Sequence, residues 1–254
     1  MQLTVLGVGS SAGTPVVGCR CATCCSGNPR NKRTRCSSLI TLDTGENILI
    51  DSGPDLRSQA LRENITRIDA VLYTHTHADH LHGIDDLRAF CQLQRAQIPL
   101  FAKQDCVEHI TAKFGYTLRE PCNFWDLPVL SIKPVTEPFT LFGMLIVPIN
   151  VMHGKSPIYG YRIGNLAYMT DVSDIPEASI ELLQGLDILL IDCLRDTPHP
   201  THINVEQCLT YTSRINARQS YMIHMTHELE YEALSHRLPE CVSVGYDGLK
   251  LNFN

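Results

Sequence analysis

Thr74-His75-Thr76-His77-Ala78-Asp79-His80 closes an apolar run, residues 71–74, with four groups able to bind a cation. Alternate residues of an extended segment point the same way, so His75 and His77 face one point. Asp79 and His80 need a turn to join them. A lone histidine is more often packed or exposed than a ligand. Four such groups in six residues have no packing explanation, because each would need its own buried partner. Imidazole with carboxylate suits zinc, iron or manganese. Two nitrogens from the strand and the Asp/His pair beyond it can serve two adjacent ions. Ions about 3.5–4 Å apart clamp an attacking hydroxide, available near neutral pH because a bound water's pKa falls to about 7.

Outward from this stretch, apolar runs at residues 3–8, 48–50 and 188–191 read as buried strands. Residues 39–42 and 48–50 flank Thr44-Gly45, a hairpin candidate. Residues 141–149 read as a further strand, and 160–163 with 167–169 as a second hairpin about Gly164-Asn165. Tyr246-Asp247-Gly248 is a turn before a last strand at 249–253. Helical patterns cover 54–63, 84–94, 177–183, 204–215 with Asn204 as cap, and 228–237. Strands in runs, with helices between and after them, indicate sheets covered by helices on their outer faces. No repeat or linker is visible, and the proline-rich residues 120–138 read as a surface loop or insertion. Residues 1–254 are expected to form one domain.

The segment beginning at His75 resembles the signature of the metallo-β-lactamase superfamily. That resemblance implies an αβ/βα four-layer sandwich of two mixed sheets with helices on the outer faces. It also implies later ligands in a set order, and His153, Asp171 and His224 each follow a strand-like run. By the resemblance, His75, His77 and His153 hold one divalent metal, Asp79, His80 and His224 hold the other, and Asp171 bridges them. Asp51, in Asp51-Ser52-Gly53, matches an early Asp-x-Gly and is expected to orient a ligand rather than to bind metal. Manganese or zinc suits this histidine-rich set, and magnesium, which prefers oxygen ligands, does not.

A second cluster, Cys19-Arg20-Cys21-Ala22-Thr23-Cys24-Cys25, places C-x-C-x-x-C on a tight loop. Structural zinc takes four ligands in a tetrahedron, so the three thiolates need a fourth partner. Cys25, Cys36 or a distant histidine could supply it. A redox-active pair or reactive surface thiols are the competing readings. With this loop, the chain is similar to the cyclic phosphodiesterases of the carbon–phosphorus lyase pathway. The likeness includes Leu6-Gly7-Val8-Gly9-Ser10-Ser11, the loop from Gly18 to Cys24, the metal ligands, and Gly245-Tyr246-Asp247-Gly248. It implies that His227 is the fourth ligand of a structural zinc, pinning the N-terminal loop to the segment carrying His224. It also implies a homodimer.

The same resemblance puts His202, in Pro198-His199-Pro200-Thr201-His202, at the phosphate, where it could protonate a leaving oxygen. His199 is its local competitor, and the wording of this loop departs from the pathway enzymes. Gly7-Val8-Gly9-Ser10-Ser11-Ala12-Gly13 has the wrong spacing for a dinucleotide loop and reads as a glycine turn lining the site, with backbone N–H groups for a phosphate.

The chain has 254 residues, 44% apolar and 19% charged, the balance of a globular enzyme. A net charge of −6 argues against a long polynucleotide, which would call for a basic face. Eleven cysteines, an odd number, with no basic and apolar leader before them argue against a disulfide framework and fit a reducing, cytoplasmic setting. Cys36, Cys91, Cys106, Cys122, Cys193, Cys208 and Cys241 read as small core residues. No apolar stretch approaches the roughly 20 residues that cross a bilayer, so no membrane partner is expected.

The expected activity is phosphodiester hydrolysis on a small cyclic or nucleotide-like phosphate ester, with Asp79 at the metals and His202 at the leaving group. A tRNA 3′-end endonuclease shares the ligands but would need a Gly- and Lys-rich arm, which is not found. A thioester or lactone hydrolase shares them too. A zinc-bearing accessory protein without catalysis is the remaining class, and the complete ligand set speaks against it.

Overall fold

The computed structural model describes residues 1–118 and 129–253. Two seven-stranded mixed sheets face one another. The first contains β1 (Gln2–Gly7), β2 (Ser37–Thr41), β3 (Asn47–Ile50), β4 (Ala70–Leu72), β5 (Ile98–Ala102), β6 (Leu130–Pro134) and β14 (Lys250–Asn252). Its order is β14-β1-β2-β3-β4-β5-β6, antiparallel as far as β3 and parallel from there on. The second contains β7 (Phe139–Leu141), β8 (Met144–His153), β9 (Ser156–Ile163), β10 (Leu166–Met169), β11 (Ile188–Asp192), β12 (Gln219–Ile223) and β13 (Val242–Val244). Its order is β13-β12-β11-β10-β9-β8-β7, with β10 to β13 parallel and the rest antiparallel.

Successive strand residues point to opposite faces, and both faces of the first sheet are covered. In β3, Ile48 and Ile50 belong to the apolar cluster shared with the second sheet, whereas Leu49 packs with α1 (Leu56–Glu63), α3 (Leu87–Gln94) and α4 (Gln104–Phe114). This is why β3 reads as a continuous apolar run rather than an alternating one. α5 (Glu177–Leu182), α6 (Val205–Ile215) and α7 (Tyr231–Ser235) contribute Ile180, Cys208, Ile215 and Leu234 to the cluster of the second sheet. Asn204 caps α6 through a reciprocal capping box with Gln207. The short α2 (Ala78–Leu81) is part of the metal motif. This is the metallo-β-lactamase arrangement of two mixed sheets with helices.

Several local expectations change. Residues 141–149 are not one strand, because Phe142 and Gly143 turn the chain between β7 and β8. Both have positive φ, 51° and 79°, as a two-residue type I′ turn requires. Only Gly143 announces it in the sequence. α4 was not anticipated. Helix 228–237 shrinks to α7. In the proline-rich stretch, residues 130–134 form β6 at the sheet edge, where a proline costs no ladder bond; residues 119–128 of that stretch lie outside the described residues, as does Cys122. Cys36, Cys91, Cys106, Cys193 and Cys208 are buried as expected, but Cys241 is exposed.

Candidate metal centre

The polar residues of interest gather where strands of both sheets end. His75 and His77 follow β4, Asp51 follows β3, His153 ends β8, Asp171 follows β10, Asp192 ends β11 and His224 follows β12. Asp51, Asp171 and His224 leave their strands with φ of 59°, 57° and 58°. That left-handed region is uncommon for residues with a side chain, although Asp and His are among those enriched there. It turns the backbone sharply and aims the side chain across the strand ends.

The first ligand set, His75, His77, His153 and Asp171, has ligand atoms all within 4.8 Å of one another. The second, Asp79, His80, Asp171 and His224, meets the same limit and shares Asp171 with the first. Three of the rings are tied down through one nitrogen. His80 Nδ1 lies 2.7 Å from Asp51 Oδ2, His153 Nδ1 2.8 Å from the Thr201 carbonyl oxygen, and His75 Nδ1 3.0 Å from Thr74 Oγ1. Asp51 also accepts from the Thr74 N–H at 2.9 Å and the Thr74 hydroxyl at 2.8 Å. A ring held at Nδ1 presents Nε2 to the centre.

His75 Nε2, His80 Nε2 and His224 Nε2 are buried and have no hydrogen-bond partner. They converge on Asp171, at 3.8, 3.0 and 3.4 Å, without the alignment of a hydrogen bond. Buried nitrogens are rarely left so. Burial drives the His75 imidazole well below its usual pKa range, and His80 adds to the effect. Burial opposes the charged form of His80 too, but Asp171 and Asp51 outweigh it and hold this ring well above the usual range. The same contest at His224, won by Asp171 and Asp192, pushes it up to about 10. Burial favours the neutral acid at Asp79 and Asp171, yet the imidazoles facing them keep both carboxyls below the usual range. The carboxylates thus demand positive charge at a buried point, met by ring protons or by a cation in their place. A pair of divalent cations fits that demand, and the nitrogen-rich donor set suits zinc or manganese better than magnesium.

His202 stands beside this centre, its Nε2 3.9 Å from Asp171 Oδ2. Asp192, which the sequence reading placed only as a strand end, lies beneath it. One carboxylate oxygen is 3.3 Å from His202 Nδ1 and the other 3.4 Å from His224 Nδ1. The signal was an aspartate closing an apolar run, as at Asp51. His199 lies beside His202, ring centroids 5.3 Å apart, and its Nδ1 accepts from the Thr201 N–H at 3.3 Å.

Close backbone approach builds the floor. A Cβ on Gly53 would sit 2.0 Å from the Asp79 carbonyl oxygen, so only glycine lets the Asp51 segment lie against α2. The glycine turn at Gly7–Gly9 does the same for residues 33–35: a Cβ on Gly9 would sit 2.7 Å from the Arg33 carbonyl oxygen. Most of the N–H groups expected to meet a phosphate are already bonded. The N–H groups of Val8, Gly9, Ser10 and Gly13 already donate to Asp247, Thr34, Met225 and Ser10.

The cysteine loop meets His227. Cys19 Sγ and Cys21 Sγ lie 3.4 and 3.2 Å from His227 Nδ1, and Cys24 completes a four-membered set within 4.8 Å. The Cys24 N–H, then His227, lower the Cys21 thiol to about 6, whereas burial raises Cys24 to about 11. Cys25 is exposed and outside the set, and Cys36 is buried elsewhere. Three thiols and one imidazole in a cluster match the donor set of structural zinc. Among the described residues no helix is long and apolar enough to cross a membrane.

Comparison with known proteins agrees with this fold. Residues 46–225 match the family model described as beta-lactamase superfamily domain. A crystal structure of a new diphosphatase from the PhnP family is 41% identical, with a TM-score of 0.93, covering 100% of this chain and 98% of the other. Zn(2+)-bound PqqB from Methylobacterium extorquens shares the fold at 19% identity and a TM-score of 0.79, each chain covered completely at 100%. Among curated sequences, the octanoyltransferase of Porphyromonas gingivalis (strain ATCC BAA-308 / W83) is 39% identical over 255 aligned positions. That alignment takes in 98% of this chain but 51% of the relative, so the chain spans about half of that protein's length. The chain belongs to the β-lactamase superfamily, with the metallo-β-lactamase fold and, in sequence, beside the PhnP family.

Proposed function

We propose that this protein is a metal-dependent hydrolase that cleaves a phosphodiester or phosphoanhydride bond in a small substrate. The observation that carries the reading is the pair of ligand sets sharing Asp171, with His202 beside the shared carboxylate. His75, His77 and His153 would hold one divalent cation, Asp79, His80 and His224 the other, and Asp171 would bridge. When bound, such a pair supplies Lewis acidity, offsetting charge on the phosphoryl oxygens and making hydroxide available near neutral pH. The chain's own residues do the rest. Asp51 and Thr201 fix the rings of His80 and His153. Asp192 holds His202 by Nδ1, leaving Nε2 on the side of the centre. From there a proton on Nε2 can pass to the departing oxygen as the bond to phosphorus breaks. Cys19, Cys21, Cys24 and His227 would hold a structural zinc.

The similar diphosphatase favours phosphorus as the reacting atom. The test is phosphorus NMR of manganese-loaded protein with 5-phosphoribosyl 1,2-cyclic phosphate and with a pyrophosphate-linked dinucleotide. Turnover of either that vanishes in Asp79→Ala supports the reading. Failure on both, with metals bound, removes it. A second reading, hydrolysis of an acyl thioester, has the octanoyltransferase relative in its favour. Release of thiol from an octanoyl thioester, again lost in Asp79→Ala, would replace the first reading with this one.

A further inference from the structure

Arg33 is among the largest fully buried side chains, 2% exposed, and the acceptors of its guanidinium are all neutral. One terminal nitrogen donates to the Thr226 carbonyl oxygen at 2.8 Å. The other donates to the Leu229 carbonyl oxygen at 2.5 Å and to Asn31 Oδ1 at 3.4 Å, while Nε has no partner. A buried guanidinium normally faces a carboxylate, because a charge taken out of water is costly unless it is paired. Burial lowers the pKa of Arg33 to about 10, and Asp247 and Glu230 offset this only in part. The two carbonyls that it grips lie on either side of His227. Its backbone grips the other half of the cysteine cluster. The Arg33 N–H donates to the Thr14 carbonyl oxygen at 2.7 Å, and the Thr14 N–H returns a bond at 2.9 Å. Thr14 leads into the cysteine loop, where the Val16 N–H donates to Cys24 Sγ at 3.3 Å. Asn31, on the same segment as Arg33, accepts from the Tyr231 N–H at 2.8 Å.

We infer that Arg33 is a positioning residue for the structural zinc: it holds the His227 segment against the cysteine loop before the ion arrives, and its charge balances the occupied cluster. The inference rests on the structural-zinc reading above. A divalent zinc with three thiolates and a neutral imidazole carries one net negative charge. That charge answers a guanidinium whose protein acceptors are neutral. The planar fork of Arg33 also spans two carbonyls at once, which a compact ammonium does less well. A cluster assembled in advance binds its ion more tightly, because less of the binding free energy goes into ordering the two segments. Arg33 also packs in the interior, so its loss weakens the fold in general. The two roles separate by readout. General weakening lowers stability wherever it occurs, whereas positioning changes the affinity of the thiolate site in particular.

The experiment titrates cobalt(II) into the full chain, stripped of metal and kept reduced, against a competing chelator. Thiolates give bound cobalt an intense near-ultraviolet charge-transfer band that the histidine and aspartate ligands of the other centre do not. The band therefore reports the cysteine site alone. Arg33→Met is expected to weaken cobalt binding at this band about ten-fold or more, the effect of losing a residue that orients a ligand. Arg33→Lys keeps the charge but loses the fork, and is expected to weaken binding about three-fold or more. Asn204→Ala, destabilised at a helix cap, should stay within about two-fold of the unaltered chain. Cobalt affinity of Arg33→Lys equal to that of the unaltered chain, or a matching loss in Asn204→Ala, overturns the inference and leaves the zinc reading in place. Should Arg33→Met fail to fold, Arg33→Lys decides alone. An unaltered chain that shows no thiolate band overturns both.

Discussion

At Asp51, Asp171 and His224 the chain leaves a strand through the left-handed region, at a cost of about 1–3 kcal/mol each. The dense contacts of the centre must hold these residues there, and Asp51 shows how. Its carboxylate carries His80 Nδ1 and both donors of Thr74. Asp51→Ala would remove the acceptor of three buried hydrogen bonds and let the His80 ring turn. Metal affinity is expected to fall about 10–100-fold, read by competition with a chelator, and unchanged affinity would refute the orienting role. His202→Ala should behave differently: full metal content, with kcat lower by about 10²–10⁴-fold. The residues from His75 to His80 were legible because their spacing is local. Asp192 was not, because its partners are set by the fold: His202 comes back to it from ten residues on in the segment leaving β11, and His224 follows a different strand, β12.

Elements were legible where one signal dominates. Asn204 with Gln207 three residues on marks the start of α6, and Asn204→Ala should lower stability by about 1 kcal/mol, measured by urea unfolding. α4 escaped notice because its buried apolar positions are only Cys106 and Ile110, too sparse for a periodic face. The β7–β8 turn escaped notice because Phe142 occupies a position that suits asparagine. Phe142→Asn should therefore stabilise the protein by about 0.5–1 kcal/mol, seen as a small rise in Tm. A fall in Tm would mean that the half-exposed phenyl ring contributes more than the turn strain removes.

For the whole molecule, the cysteine loop is a long-range tie. It joins residues 19–24 to His227 and so fastens the start of the chain to the segment just after His224. If zinc holds it, Cys21→Ser should lower zinc content by one ion per chain and lower Tm, because binding free energy contributes to folding. Metal analysis beside thermal unfolding reads both, and an unchanged zinc count would refute the assignment. The layered class was legible from alternating runs of strands and helices. The strand order was not, because parallel neighbours such as β4 and β5 are set by crossovers, which leave no mark in either strand. The pairing of β14 with β1 is the extreme case.

That pairing bears on the order in which the molecule can be assembled. β1 is made before the other strands of both sheets, but one of its two neighbours is made only after all of the second sheet. Until then β1 presents an unpaired edge, the kind of surface on which foreign strands grow. The closing contact also spans nearly the whole chain, and such contacts are made late because loop closure must precede them. A newly made chain is therefore exposed at the open edge of β1, and protecting that edge during synthesis should raise the yield of folded protein.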